Sequence, residues 1–186
     1  MEPKATSAPT VSPNATTPRM MTGLFRAQAD AESAIIALEK RGYRKEDVSV
    51  LMSDETRKRL AAHSSMTHTS GEKAAEGAGV GSAVGGVAGA IILGIVAVAA
   101  PIAIPGIGLL ISGPLVAALA GSGAGGLAGG LIGSLVRVGI PESHAKIYDL
   151  GLREGGVLIT VQPRSQFDAT KIAEDWTALH AENLRY

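Results

Sequence analysis

His63, Ser64 and Ser65 stand side by side, and His68 follows five residues after His63. These residue types make nucleophiles, bases and metal ligands. A Ser–His pair works in acyl transfer only when a third group orients the base and a rigid scaffold holds all three. These neighbours lie in a polar run, residues 53–76, that reads as a linker, so their adjacency does not make a triad. The five-residue histidine spacing is too loose for a helical metal pair, and no third ligand has an obvious source. His144 falls in the first turn of an expected helix and reads as a solvated residue. Gly121-Ser122-Gly123-Ala124-Gly125-Gly126 formally matches G-x-G-x-x-G. A dinucleotide fingerprint, however, follows a strand, opens a helix and has an acidic residue about 20 positions on. This match lies inside an apolar block, and the next acid is Glu142. The chain has no Cys, which excludes disulfides, thiol catalysis and thiolate metal sites. No catalytic, cofactor-binding or metal residues are therefore assigned, and the reading is non-enzymatic with no cofactor.

Composition narrows the class further. Seventeen basic residues balance 17 acidic ones, and aromatics make up 3%. Neither a basic footprint nor a stacking platform for nucleic acid is expected. No small-molecule substrate is identified, because no convergent polar cluster marks a pocket.

The strongest pattern is structural. Residues 77–136 carry no charge and hold 17 of the 24 glycines. Gly77, Gly81, Gly85 and Gly89 form one ladder at four-residue spacing, and Gly121, Gly125, Gly129 and Gly133 form another. At that spacing each ladder lies on one helix face and lets a second backbone approach closely. The ladders mirror each other about Pro105, which predicts an antiparallel hairpin with arms over 78–100 and 115–136. Each arm is long enough to reach roughly 30 Å, the thickness of a bilayer's hydrocarbon core. Pro101, Pro105, Gly106, Gly108 and Pro114 mark the turn, where Ser112 is the only polar side chain between Pro101 and Pro114. Such a tip needs a cover of lipid or protein. Arg57, Lys58, Arg59, Lys73 and Arg137 flank the base, and the tip has no Lys or Arg. The positive-inside rule then predicts a cytoplasmic-membrane location with both termini cytoplasmic, the bilayer and further copies of the chain being the expected partners. The alternative is a cytoplasmic homo-oligomer whose hairpins pack as a common core.

The remaining elements must carry this block. Residues 1–19 are rich in Ser, Thr, Pro and Ala and read as a disordered tail without a signal-peptide apolar run. Residues 20–25 read as a strand and 29–41 as a helix closed by Gly42. Val48-Ser49-Val50-Leu51 reads as a second strand, and 56–62 as a short helix. Pro141 and Glu142 open a helix that the Gly155-Gly156 pair ends. Residues 157–161 form the best strand pattern, and Asp168 is placed as the cap of a last helix bearing Ile172, Trp176 and Leu179. The expected architecture is α+β. A discontinuous domain over 20–52 and 139–182 has a three- or four-stranded sheet with helices on one face. The helical hairpin interrupts it.

Three stretches carry a family resemblance. The first is Thr22-Gly23-Leu24-Phe25 with Ala29-Asp30-Ala31-Glu32 and Val48-Ser49-Val50-Leu51. The second is Ile104-Pro105-Gly106-Ile107-Gly108. The third is Gly139-Ile140-Pro141-Glu142 with Tyr148 and the run from Gly155-Gly156 to Val161. Together, over about residues 20–163, these resemble the bacterial general stress protein 17M-like (heat-induced stress protein) family. The resemblance implies a ferredoxin-like domain interrupted by a glycine-zipper hairpin, and a role in stress responses. It supplies no catalytic residues. The N-terminal tail and the helix of Trp176 lie outside it.

Overall fold

Alternation along three strands builds the centre of the molecule. In a computed structural model that describes residues 20–71, 90–98, 102–104, 109–116 and 130–185, β1 is Met21–Phe25, β2 is Val48–Ser53 and β5 is Val157–Val161. Successive side chains in a strand point to opposite faces. Met21, Phe25, Val50, Met52, Val157 and Ile159 therefore share one face, and Leu24, Leu51 and Leu158 share the other. β5 lies antiparallel between β1 and β2, pairing Gly23 with Ile159 and Val50 with Ile159. The helix α1 (Gln28–Lys40) joins β1 to β2, and α6 (Gln166–Ala178) follows β5 and leads to β6 (Glu182–Arg185). The order β2-β5-β1-β6 is the split β-α-β arrangement of a ferredoxin-like sheet. The α+β expectation holds.

The sheet is wider than expected. Its order is β3-β4-β2-β5-β1-β6, where β3 is Ile102–Ile104 and β4 is Leu109–Ser112. β6 is the polar edge strand Glu-Asn-Leu-Arg. It pairs with β1 through a register shift between Thr22 and Leu24, and Asn183 there takes a φ of 51°.

Helices on one face describes only α1 and α6. They cover the Met21 face together with α3 (Ala90–Val98) and Leu60 of α2 (Asp54–Gly71). The opposite face is covered as well, by α4 (Gly130–Arg137) and α5 (Glu142–Arg153) through Leu131, Leu135, Ala145, Tyr148 and Leu152. The physical reason is that Leu24, Leu51 and Leu158 form an apolar row that water would not tolerate uncovered. The expected short helix at 56–62 is the first part of α2, which runs to Gly71.

Two glycines set how closely the layers approach. A Cβ on Gly23 would come within 2.8 Å of the Trp176 ring, so only Gly lets the indole lie on β1. There the indole also meets Phe25 edge-on, with centroids 5.6 Å apart. A Cβ on Gly151 would fall 2.2 Å from Leu24 Cδ2, so α5 sits directly against β1. The last helix is capped by Ser165, not Asp168: the Ser165 hydroxyl accepts from the Asp168 N–H at 3.1 Å. Serine at the cap with an acid three positions on is the capping-box spacing, which places the acid inside the first turn.

Candidate functional site

The glycine-rich block meets the domain along a seam between β2 and β4. Val50 pairs with Ser112, Leu51 with Ile111, Met52 with Leu110 and Ser53 with Leu109, all antiparallel. β3 then pairs back on β4, Ile102 with Ile111 and Ile104 with Leu109. The chain does reverse between 104 and 109, as the mirror symmetry predicts. It does so between strands, where a helical hairpin was expected. β-branched Ile102 and Ile104, with Pro105-Gly106 after them, carried the strand signal. Uniform apolarity on both sides obscured it.

Two hydroxyls pin the seam. Ser112, the lone polar side chain of the tip, is buried and donates to the Val50 carbonyl at 3.2 Å. Ser49 Oγ accepts from the Leu115 N–H at 2.9 Å. Gly113 between them has a φ of +85°, and a Cβ there would fall 2.3 Å from the Val48 carbonyl oxygen. Sequence reasoning missed Gly113, although Ser112-Gly113-Pro114 is a turn signature. Pro114 is exposed just beyond it.

On either side of the seam the block continues into the two cores. Before it, α3 places Ile92, Ile95 and Val96 among Ile35, Leu38 and Leu60. After it, Leu115 and α4 place their side chains in the opposite core, with Leu51 and Tyr148. Tyr148 donates to the Asn183 carbonyl at 2.6 Å, and burial pushes its hydroxyl up to about 12.

The expected packing glycines Gly77, Gly81, Gly85, Gly89, Gly121, Gly125 and Gly129 lie outside the described residues. So do Pro101, Pro105, Gly106, Gly108 and Lys73. Gly133 is in α4, and a Cβ on it would meet nothing within 4 Å among the described residues. Among the described residues no helix is long and apolar enough to cross a membrane. α3 is helical over nine residues, all within the first expected arm.

The basic cluster at the base is partly engaged within the domain. Asp54 holds Arg57 at 3.0 Å and Lys58 at 2.9 Å. Arg59 donates to Thr56 Oγ1 and to the Gly155 carbonyl at the end of α5. Arg137 is exposed in α4. His144 lies beside Tyr148, with ring centroids 6.2 Å apart. The described residues include no group of three or more His, Cys, Asp or Glu able to hold a metal. Comparisons with family models, with curated proteins and with solved structures returned no match.

Proposed function

We propose that this chain is a non-enzymatic self-assembly module whose glycine ladders pair between protomers, in the stress-response setting that the family resemblance implies. One observation supports it: the seam splits the glycine-rich block and ties its halves to opposite faces. Residues 72–89 leave from the end of α2 at Gly71 and return at α3, whose Ile92 shares a core with Leu60. Residues 117–129 leave after Leu115 and return at Leu131, both in the other core. The described ends of the two segments thus join core clusters on opposite faces of the sheet, and glycine faces allow backbones of separate chains to meet closely. Within the apolar tip, β4 pairs with β2.

The test is light scattering on the full chain in detergent-free buffer. A defined oligomer is expected, lost when Gly85 and Gly125 are both replaced by Leu. A monomer would overturn the reading. A need for detergent, with flotation on vesicles, would replace it by the bilayer association at the cytoplasmic membrane that the uncharged stretch also permits.

A further inference from the structure

The sheet face beneath α5 is divided. Its apolar half is Leu24, Leu158 and Leu51, covered by α4 and α5. One step along the strands, the register aligns three hydroxyls: Thr22 opposite Thr160, and Thr160 opposite Ser49. They are 0%, 2% and 3% exposed. Ser49 is satisfied by the Leu115 N–H. The Thr22 and Thr160 hydroxyls have no hydrogen-bond partner among the described residues. A buried hydroxyl without a partner is destabilising. Valine would fill the same space without that cost, so these hydroxyls call for a partner beyond the described residues.

Thr160 and Ser49 open onto a cleft of about 740 Å³. Met20 and Leu115 supply apolar wall, and Arg44 and Arg164 stand at the rim. Arg164 is held in place: it donates to the Gly42 carbonyl at 2.6 Å and its guanidinium lies 4.4 Å from the centre of the Tyr43 ring. The Tyr43 hydroxyl is itself fixed, donating to Asp168 and accepting from the Arg164 N–H at 3.1 Å. Arg44 reaches Asp47 at 3.4 Å and remains largely exposed. The rim therefore presents two guanidinium groups against one carboxylate. A pocket of this size, with an apolar wall and polar groups beside it, suits a small ligand.

We infer that this cleft binds a small amphiphilic anion, a carboxylate or phosphate ester carrying a short apolar chain. The chain lies against Met20 and Leu115, Arg44 and Arg164 meet the charge, and the Thr160 side chain, buried without ligand, rotates to turn its hydroxyl toward the polar end. Guanidinium groups suit both oxyanions because they offer paired donors. The cleft is formed by one chain, so the inference is independent of assembly.

The test is isothermal titration of the full chain with octyl phosphate, sodium octanoate and neutral 1-octanol. At least one anion is expected to saturate a single site per chain, with 1-octanol binding about tenfold more weakly. Thr160→Val and Arg44→Gln should each weaken the anion by roughly fivefold or more, while Thr160→Ser retains it. Without ligand, Thr160→Val should melt at or above the parent, because it removes an unsatisfied group. The variant with Gly85 replaced by Leu should keep the affinity even where it loses assembly. Phosphate-only or octanoate-only binding identifies the headgroup. No anion binding at roughly 5 mM would overturn the inference. Equal binding of 1-octanol, or unchanged affinity in Thr160→Val, would do the same.

Discussion

The Ser49 hydroxyl accepts a 2.9 Å hydrogen bond from the backbone N–H of Leu115, 66 positions further along the chain. The contact closes the glycine-rich block onto the sheet at the point where the chain crosses from one core to the other. Both partners are buried, so nothing in the solvent can replace either. Replacing Ser49 by Ala leaves the Leu115 N–H without an acceptor, which should cost about 1–3 kcal/mol. Thermal melting measures the loss. Amide exchange at Leu115 should quicken, and an unaltered melting temperature would show that the seam adds no stability.

Two glycines of the block make opposite predictions. At Gly113 a Cβ would meet the Val48 carbonyl oxygen at 2.3 Å in a backbone of φ +85°. Gly113→Ala is therefore expected to destabilise the domain by roughly 2 kcal/mol or more. At Gly133 a Cβ meets nothing within 4 Å among the described residues, and alanine is the better helix former. Gly133→Ala should stabilise α4 by about 0.5–1 kcal/mol while weakening the oligomer if this rung faces another protomer. Denaturant midpoints and light scattering read the two effects separately. Loss of stability in both variants would refute the contrast.

Glu32 is 5% exposed and its Oε1 has no hydrogen-bond partner among the described residues. Burial pushes its carboxyl up to about 7, opposed by a hydrogen bond with Gln28. The folded chain thus keeps a proton near pH 6 that the unfolded chain, with an ordinary value of 4.5, has released. Stability from this group is fully present below about pH 4.5 and declines as pH rises to about 7, then levels off. Glu32→Gln should flatten that decline and add roughly 1–3 kcal/mol at pH 8. Melting curves across pH 4 to 8 should show the wild type losing ground to the variant as pH rises. Parallel curves would place the carboxyl in water.

Ser165 caps α6 by accepting from the Asp168 N–H. Ser165→Ala should cost about 1 kcal/mol, as cap deletions do. Asp168 also accepts from Tyr43 and lies 3.9 Å from Arg41, so Asp168→Asn is expected to cost more than the cap alone. Denaturation of the two variants side by side checks the order. A larger loss in Ser165→Ala would mean that the side-chain network contributes less than the cap.

Much of this fold is legible in the sequence where a period and a punctuation mark coincide. β1, α1, β2, α5 and β5 each show alternation or a helical stripe bounded by Gly or Pro, and the structure places them within a residue or two. β3 and β4 were not legible, because a run apolar at every position has no period to read. β6 was hidden for the opposite reason: Glu-Asn-Leu-Arg is polar and becomes a strand only because β1 offers it an open edge. Ser49, Thr22 and Thr160 are polar positions of their strands, yet they are buried on the face that α4 and α5 cover. Residues of the cleft lie far apart in the chain, from Met20 to Arg164, and no local spacing announces them.

The seam of β2 with β4 also bears on how this chain could change over time. By clamping the middle of the glycine-rich block, it turns one long insertion into two, each fastened at both ends to rigid elements. The entropy of closing such a segment rises only by about 0.6 kcal/mol per doubling of its length. Either glycine segment can therefore be lengthened, shortened or exchanged with little penalty to the sheet and without disturbing the other. The domain behaves as a chassis with two independent mounting points, and variation in size between related chains should concentrate there.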